Sequence, residues 1–142
     1  MKLGSKVVTL LGAGVLSLGG HATQAQQFTT AAEIRPILEA TQANWIAVRE
    51  YDGQDLLYFT HLLAWRCGLE QVRYAVNGGE MQAFELEPCY MEEAQPNAIK
   101  STEILPFVTL DLKAVNTVDV ELFYDDGTTA TGSYERGSIQ IN

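Results

Sequence analysis

The clearest order in this chain is an alternation. Between Thr117 and Tyr124, the residues Val118, Val120, Leu122 and Tyr124 fall on one side of an extended backbone, with Asp119 and Glu121 on the other. That period of two marks a strand with one buried face. Asp125-Asp126-Gly127-Thr128 follows as a hairpin turn, and residues 129–135 pair back. The alternation returns at Val72, Tyr74 and Val76, set against Gln71, Arg73 and Ala75. Asn77-Gly78-Gly79 then supplies residues that tolerate positive φ, as tight hairpins require. Met81, Phe84 and Leu86 form the returning strand over 80–87, with a bulge near Gln82-Ala83 where apolar parity breaks, and Pro88 ends it. Pairing Val76 with Glu80 across a three-residue loop carries the register back until Cys67 faces Cys89. Opposed strand residues lie about 4.5–5.5 Å apart at Cα, within reach of a disulfide.

Earlier in the chain, residues 44–51 read as a strand, Asp52-Gly53-Gln54-Asp55 as a turn, and residues 55–65 as a second strand. The second is apolar on both faces, with Leu57, Phe59, Leu63 and Trp65 on one and Leu56, Tyr58, Leu62 and Ala64 on the other. Such a strand belongs inside a sheet covered on both sides. As an amphipathic helix, this run would hold Tyr, Phe, Thr and Trp at poor helical sites. Thr30-x-x-Glu33 has the form of a capping box, and Ile34, Ile37, Leu38 and Thr41 follow helical spacing, so residues 31–42 read as a short amphipathic helix. Pro36 limits that helix or kinks its first turn. The helix is expected to cover one face of the 55–65 strand, and a second sheet the other. Residues 90–103 read as a long surface connection, 107–112 as a strand and 138–141 as a short edge.

About seven strands with turns every 8–12 residues give the profile of a mainly β chain, a small antiparallel β-sandwich with a short N-terminal helix. Val72-Arg73-Tyr74-Ala75-Val76-Asn77-Gly78-Gly79 and the stretch Val118 to Gly127 resemble immunoglobulin-like and fibronectin-type-III-like modules. That resemblance implies an immunoglobulin-like fold and no activity. Asn44 to Tyr51, with Leu56 to Cys67, also looks like a group of small exported alphaproteobacterial proteins of unknown function.

Charge and cysteine usage then narrow the setting. Lys2 and Lys6 precede the apolar stretch Val7–Leu18, and Thr23-Gln24-Ala25 has the small residues of a cleavage site, so residues 1–25 read as a signal peptide. The remaining residues, 26–142, read as a single domain. The whole chain carries a net charge of −9; without Lys2 and Lys6, 7 basic residues face 18 acidic ones. Such a balance argues against nucleic acid and anionic membrane surfaces as partners. Export also favours pairing of Cys67 with Cys89.

Chemistry is sparse. His61 is the sole histidine after residue 25 and the one weak catalytic candidate; on a strand beside Phe59, Leu63 and Trp65 it reads as a core histidine. Ser101, Ser133 and Ser138 belong to no nucleophile motif. Asp52 and Asp55 in one turn, and Asp125 and Asp126 in another, offer a few of the oxygens calcium needs, but turns select Asp without any ion. Neither a metal nor a cofactor is expected. Glu85, Glu87, Glu92 and Glu93 form an acidic run that could dock a basic partner. The reading that results is a non-catalytic periplasmic or secreted accessory module, binding a protein or small ligand through an edge or loop surface. The alternative is a small hydrolase or metal-dependent enzyme, which needs His61 in a pocket with two or more acidic side chains. A secreted inhibitor would instead present a rigid loop at the Cys67–Cys89 end.

Overall fold

Two tight turns of the same kind shape the strands. Asp52 and Gly53 both adopt positive φ between strands β1 (Ala47–Tyr51) and β2 (Gln54–Tyr58), and Asn77 and Gly78 do so after β3 (Leu69–Val76). This is the twist a two-residue hairpin turn demands. The structure, a computed structural model, describes Gly12, Gly14 and residues 27–142. Apart from those two glycines, the expected signal peptide lies outside the described residues. The other strands are β4 (Gln82–Phe84), β5 (Phe107–Asp111), β6 (Thr117–Tyr124), β7 (Thr129–Glu135) and β8 (Gln140–Ile141).

They make two four-stranded sheets, in the orders β5-β2-β1-β8 and β4-β3-β6-β7. Val48 and Leu57 from the first meet Val72, Val118, Val120, Leu122 and Tyr124 from the second in one core. Each fully buried aliphatic chain there contributes about 1.5–3 kcal/mol. The molecule is therefore a mainly β sandwich with a short N-terminal helix, as its alternations predict. All pairings are antiparallel except β8, which runs parallel to β1.

The register inferred for the β3–β4 hairpin is found: Val72 pairs with Phe84 and Tyr74 with Gln82. Its irregularity is elsewhere than expected. Gly79 donates to the Val76 carbonyl at 3.0 Å, closing a two-residue turn, and the extra residue is absorbed between that turn and Gln82. The bulge expected at Gln82-Ala83 is absent, β4 covers three residues rather than 80–87, and the register shift lies in β3 between Leu69 and Gln71.

The expected strand over 55–65 is corrected. β2 ends at Tyr58, and a short helix α2 (Thr60–Leu63) follows, then a 3-10 turn at Arg66–Gly68. Phe59, Leu62 and Leu63 are all buried. Their spacing of three and four is helical, and this is what mimicked a strand with two apolar faces. His61 therefore lies on a helix, not on a strand face.

Helix α1 (Ala31–Ala40) starts at the capping box: Glu33 N–H donates to Thr30 Oγ1, and Phe28 N–H donates to the Glu33 carboxylate. It runs through Pro36 and stops two residues short of the expected end, with Gln42–Asn44 in a 3-10 turn. Ile34 and Leu38 are wholly buried. A Cβ on Gly68 would stand 2.6 Å from Ile34 Cδ1 and 2.7 Å from Thr30 O. Glycine is thus what lets the helix seat against the 3-10 turn. Ala31 N–H donates to Asp125, and Arg35 pairs with Asp126, so α1 is tied to the β6–β7 turn rather than laid over the outer face of β2 as expected. On that outer face Leu56 is buried and Tyr58 half-buried. The expected edge at 138–141 divides into helix α3 (Arg136–Ile139) and β8.

Candidate functional site

Two polar centres hold the ends of the sandwich, and both contain residues singled out by composition. Asp55 is not a turn residue. It sits in β2, wholly buried, where its carboxylate accepts from Lys113 N–H at 2.9 Å, Val115 N–H at 3.0 Å and Arg136 at 2.6 and 3.0 Å. The Arg136 hydrogen bonds, helped by the two backbone donors and opposed by burial, hold its pKa at about 2. Its oxygens are spent on the chain itself. Asp52 is an exposed turn residue. Asp125 caps α1, and Asp126 is held at a pKa of about 2, first by Thr128 and then by Arg35. Among the described residues no three His, Cys, Asp or Glu side chains cluster to hold a metal ion.

The second centre is the Cys67–Cys89 end. The two cysteines are bonded, with Cα atoms 5.2 Å apart. Cys67 is in a 3-10 turn rather than in β3. Beside it Arg66, unremarked in the sequence, is 2 % exposed. Its Nε donates to Glu87 O at 2.8 Å, Nη1 to Leu63 O at 3.0 Å and Asn97 O at 2.9 Å, and Nη2 to Pro88 O at 2.7 Å and Ala98 O at 2.8 Å. All five guanidinium N–H groups are satisfied by carbonyls of the long connection and of α2.

Glu87 is not part of a solvated acidic face. It is buried, accepting from Tyr90 Oη at 2.7 Å and from the Lys100 and Ser101 backbone N–H groups. Burial works against its charge, but those donors and the nearby Arg66 outweigh it and keep the carboxyl below its usual range. Glu85 and Glu92 are exposed, and exposed Glu93 pairs with Lys100 at 2.7 Å. The four glutamates do not form one surface.

A third place differs in kind. A cleft of about 420 Å³ opens on the outer face of the β5-β2-β1-β8 sheet, lined by Asn44, Trp45, Ile46, Ala47, Arg49, Tyr58, Thr60, His61 and Ile141. Pleating explains its strand residues. Val48 and Leu57 point into the core, so Ala47, Arg49 and Tyr58 point out, and the β1–β8 pairing sets Ile141 beside Arg49. Tyr58 packs on Phe107, ring centroids 5.2 Å apart. The Arg49 guanidinium lies 4.8 Å from the Tyr51 ring and, among the described residues, has no ion pair or hydrogen bond.

His61 enters this cleft from α2. Thr41 Oγ1 donates its one proton to Ile37 O at 2.7 Å, so at the 2.9 Å contact with His61 it must accept. That fixes the neutral ring as the Nε2–H tautomer and leaves Nδ1 as an acceptor. Burial lowers the His61 pKa from its ordinary value. The lining brings no Asp or Glu to His61, so the acidic partners a His61 hydrolase needs are not among its neighbours in the cleft. Arg49, Tyr58 and Ile141 escaped the sequence reading. The available signal was that Ala47, Tyr51, Leu56 and Tyr58 are apolar or aromatic at outward positions, as Val48 and Leu57 are at inward ones.

Comparison with protein-family models, with curated protein sequences and with solved structures finds no match to this chain.

Proposed function

We propose that this chain is an exported, non-catalytic accessory module that binds through the outer face of its β5-β2-β1-β8 sheet. One observation carries the reading: an apolar and aromatic cleft on that face contains an arginine that nothing in the described chain neutralises. On the opposite outer face no cleft of this kind gathers around the basic side chain: Arg73 stands across from Glu121 in register, its Nε buried and without a partner among the described residues, and Ser133 donates to Asp119 at 2.7 Å. Convergent polar groups in a concave apolar lining are the usual mark of a binding site.

Export is supported by the basic, apolar and small-residue order of residues 1–25 and by the Cys67–Cys89 bridge. Among the described residues no helix is long and apolar enough to cross a membrane. The strand orders also support the immunoglobulin-like reading. Lettered A, B, C, C′, E, F, G along the chain, β1 to β7 partition into A-B-E and C′-C-F-G.

The test is to titrate isotope-labelled protein with exported material from its own cells and follow the amide signals. Shifts at Ala47, Arg49, Thr60 and Ile141 are expected. Shifts confined to Arg73, Glu121 and Thr131 on the opposite sheet would overturn the assignment.

A further inference from the structure

We propose that the cleft takes a small organic monoanion: a carboxylate on an aromatic or branched apolar body, its charge on Arg49 and its body against Tyr58, Ala47 and Ile141. This rests on the binding reading above and adds the class of ligand.

The argument begins with charge. Eighteen acidic residues outnumber nine basic ones in the chain, so an arginine without an acidic neighbour is conspicuous. Arg35, Lys100 and Arg136 are each paired with Asp or Glu, and Arg66 is enclosed by carbonyls. Arg73 and Lys113 are, like Arg49, without an ion pair among the described residues, but it is Arg49 that lines the cleft. The Tyr51 ring covers one face of the guanidinium. A stacked guanidinium still has its in-plane N–H edge available, and that edge matches a carboxylate.

The second consideration is the number of charges. His61 commits Nε2–H to Thr41 and presents an unprotonated nitrogen when neutral, so the cleft has one permanent cation. One cation in a lining whose other residues are apolar or neutral polar matches a single negative charge. A cationic ligand would meet Arg49 as a like charge. A wholly apolar one would leave the guanidinium partly desolvated and unpaired, which is unfavourable. The volume, about 420 Å³, suits a body of one ring or a branched chain.

Benzoate, benzyl alcohol and benzamidinium share a ring and differ in charge, so they separate these cases. Titrations of the purified protein, followed by the amide signals of Ala47, Thr60 and Ile141 and the Arg49 Nε–H signal, should show benzoate binding with Kd of about 1–10 mM, in line with its few heavy atoms. It should bind at least tenfold more tightly than either relative. Arg49→Ala should reduce benzoate affinity about tenfold, to the level of benzyl alcohol, while leaving the rest of the amide spectrum in place. Arg49→Lys should recover part of it.

Equal binding of benzoate and benzamidinium, or undiminished benzoate binding by Arg49→Ala, would overturn the monoanion assignment while leaving the cleft as a binding site. Cleft signals unmoved by all three compounds would also overturn it. The wider reading of this face would then be decided by the exported-material titration alone.

Discussion

Arg66 and Arg49 carry the same side chain into opposite settings. Arg66 is buried, and each of its five N–H groups meets a backbone carbonyl, so it can do nothing further. Arg49 stands in an open cleft with its charge unpaired among the described residues. The first converts a long irregular connection into a fixed part of the fold. The second leaves hydrogen-bonding capacity unused by that fold. Exposure alone does not separate a binding arginine from a structural one. What separates them is whether the chain has already consumed the donors.

The comparison is broken most severely at Arg66. Arg66→Ala strands the carbonyls of Leu63, Glu87, Pro88, Asn97 and Ala98 and removes the cation beside buried Glu87. A loss of about 3–5 kcal/mol is expected, or roughly 12–20 °C in Tm for a chain near this size, measurable by thermal and denaturant unfolding. Arg66→Lys should recover less than half, because an ammonium has three donors on one compact head and no planar fork.

The neighbouring bridge ranks next. Cys67 and Cys89 are separated by 22 positions, and closing such a loop stabilises by about 3 kcal/mol in the chain-entropy model. Cys89→Ser should lower Tm by roughly 10 °C. Arg66 and the bridge fasten the same connection, so the double variant Arg66→Ala/Cys89→Ser should depart from additivity by at least about 0.5 kcal/mol. Strict additivity would show that the two fastenings act on separate parts of the fold.

Acid gives a smaller effect at the other satisfied centre. The Asp55 carboxyl titrates at about 2 in the folded chain, against an ordinary 3.8. A depressed carboxyl stabilises the folded state fully above its ordinary pKa, and that stabilisation is lost as pH falls through the folded value. About 2 kcal/mol should therefore disappear between pH 4 and pH 2. Glu87, also held below its usual range, acts in the same direction. Denaturant unfolding at pH 7, 4, 3 and 2 checks this. Asp55→Asn should be less stable at pH 7 and show a shallower decline in acid. An equal decline would place the acid sensitivity elsewhere.

The two arginines were not equally legible in sequence, and the reason is physical. Alternation at Val72, Tyr74, Val118 and Val120 sets sheet faces directly, and Asn77-Gly78 sets a turn, so the hairpin register was recoverable. The run after Tyr58 mimics a strand because Phe59, Leu62 and Leu63 are buried at helical spacing while Tyr58 still points out of a strand. Arg66 gave no sign because its partners are backbone carbonyls, which every residue has. Asp55 looked like a turn ligand because its true partner, Arg136, lies 81 positions away. The cleft depends on α2 and on the parallel β8–β1 pairing, neither of which a local pattern announces.

Arg49→Ala supplies the smallest effect on stability and the sharpest contrast with Arg66→Ala. In the folded chain the Arg49 guanidinium contributes a stacking contact with Tyr51, itself 56 % exposed, and no ion pair among the described residues. Exposed cation–π contacts contribute about 0.5–1 kcal/mol, and a substitution away from caps and core is usually felt by less than that. The expected change is about 0.5 kcal/mol, or roughly 2 °C in Tm, with the acid response of Asp55 untouched. A fall approaching that of Arg66→Ala would mean that Arg49 has a structural partner after all, and the difference between a spent and an unspent arginine would vanish. A small fall accompanied by a tenfold loss of benzoate affinity would place the two side chains on opposite sides of the division between holding the fold together and using it.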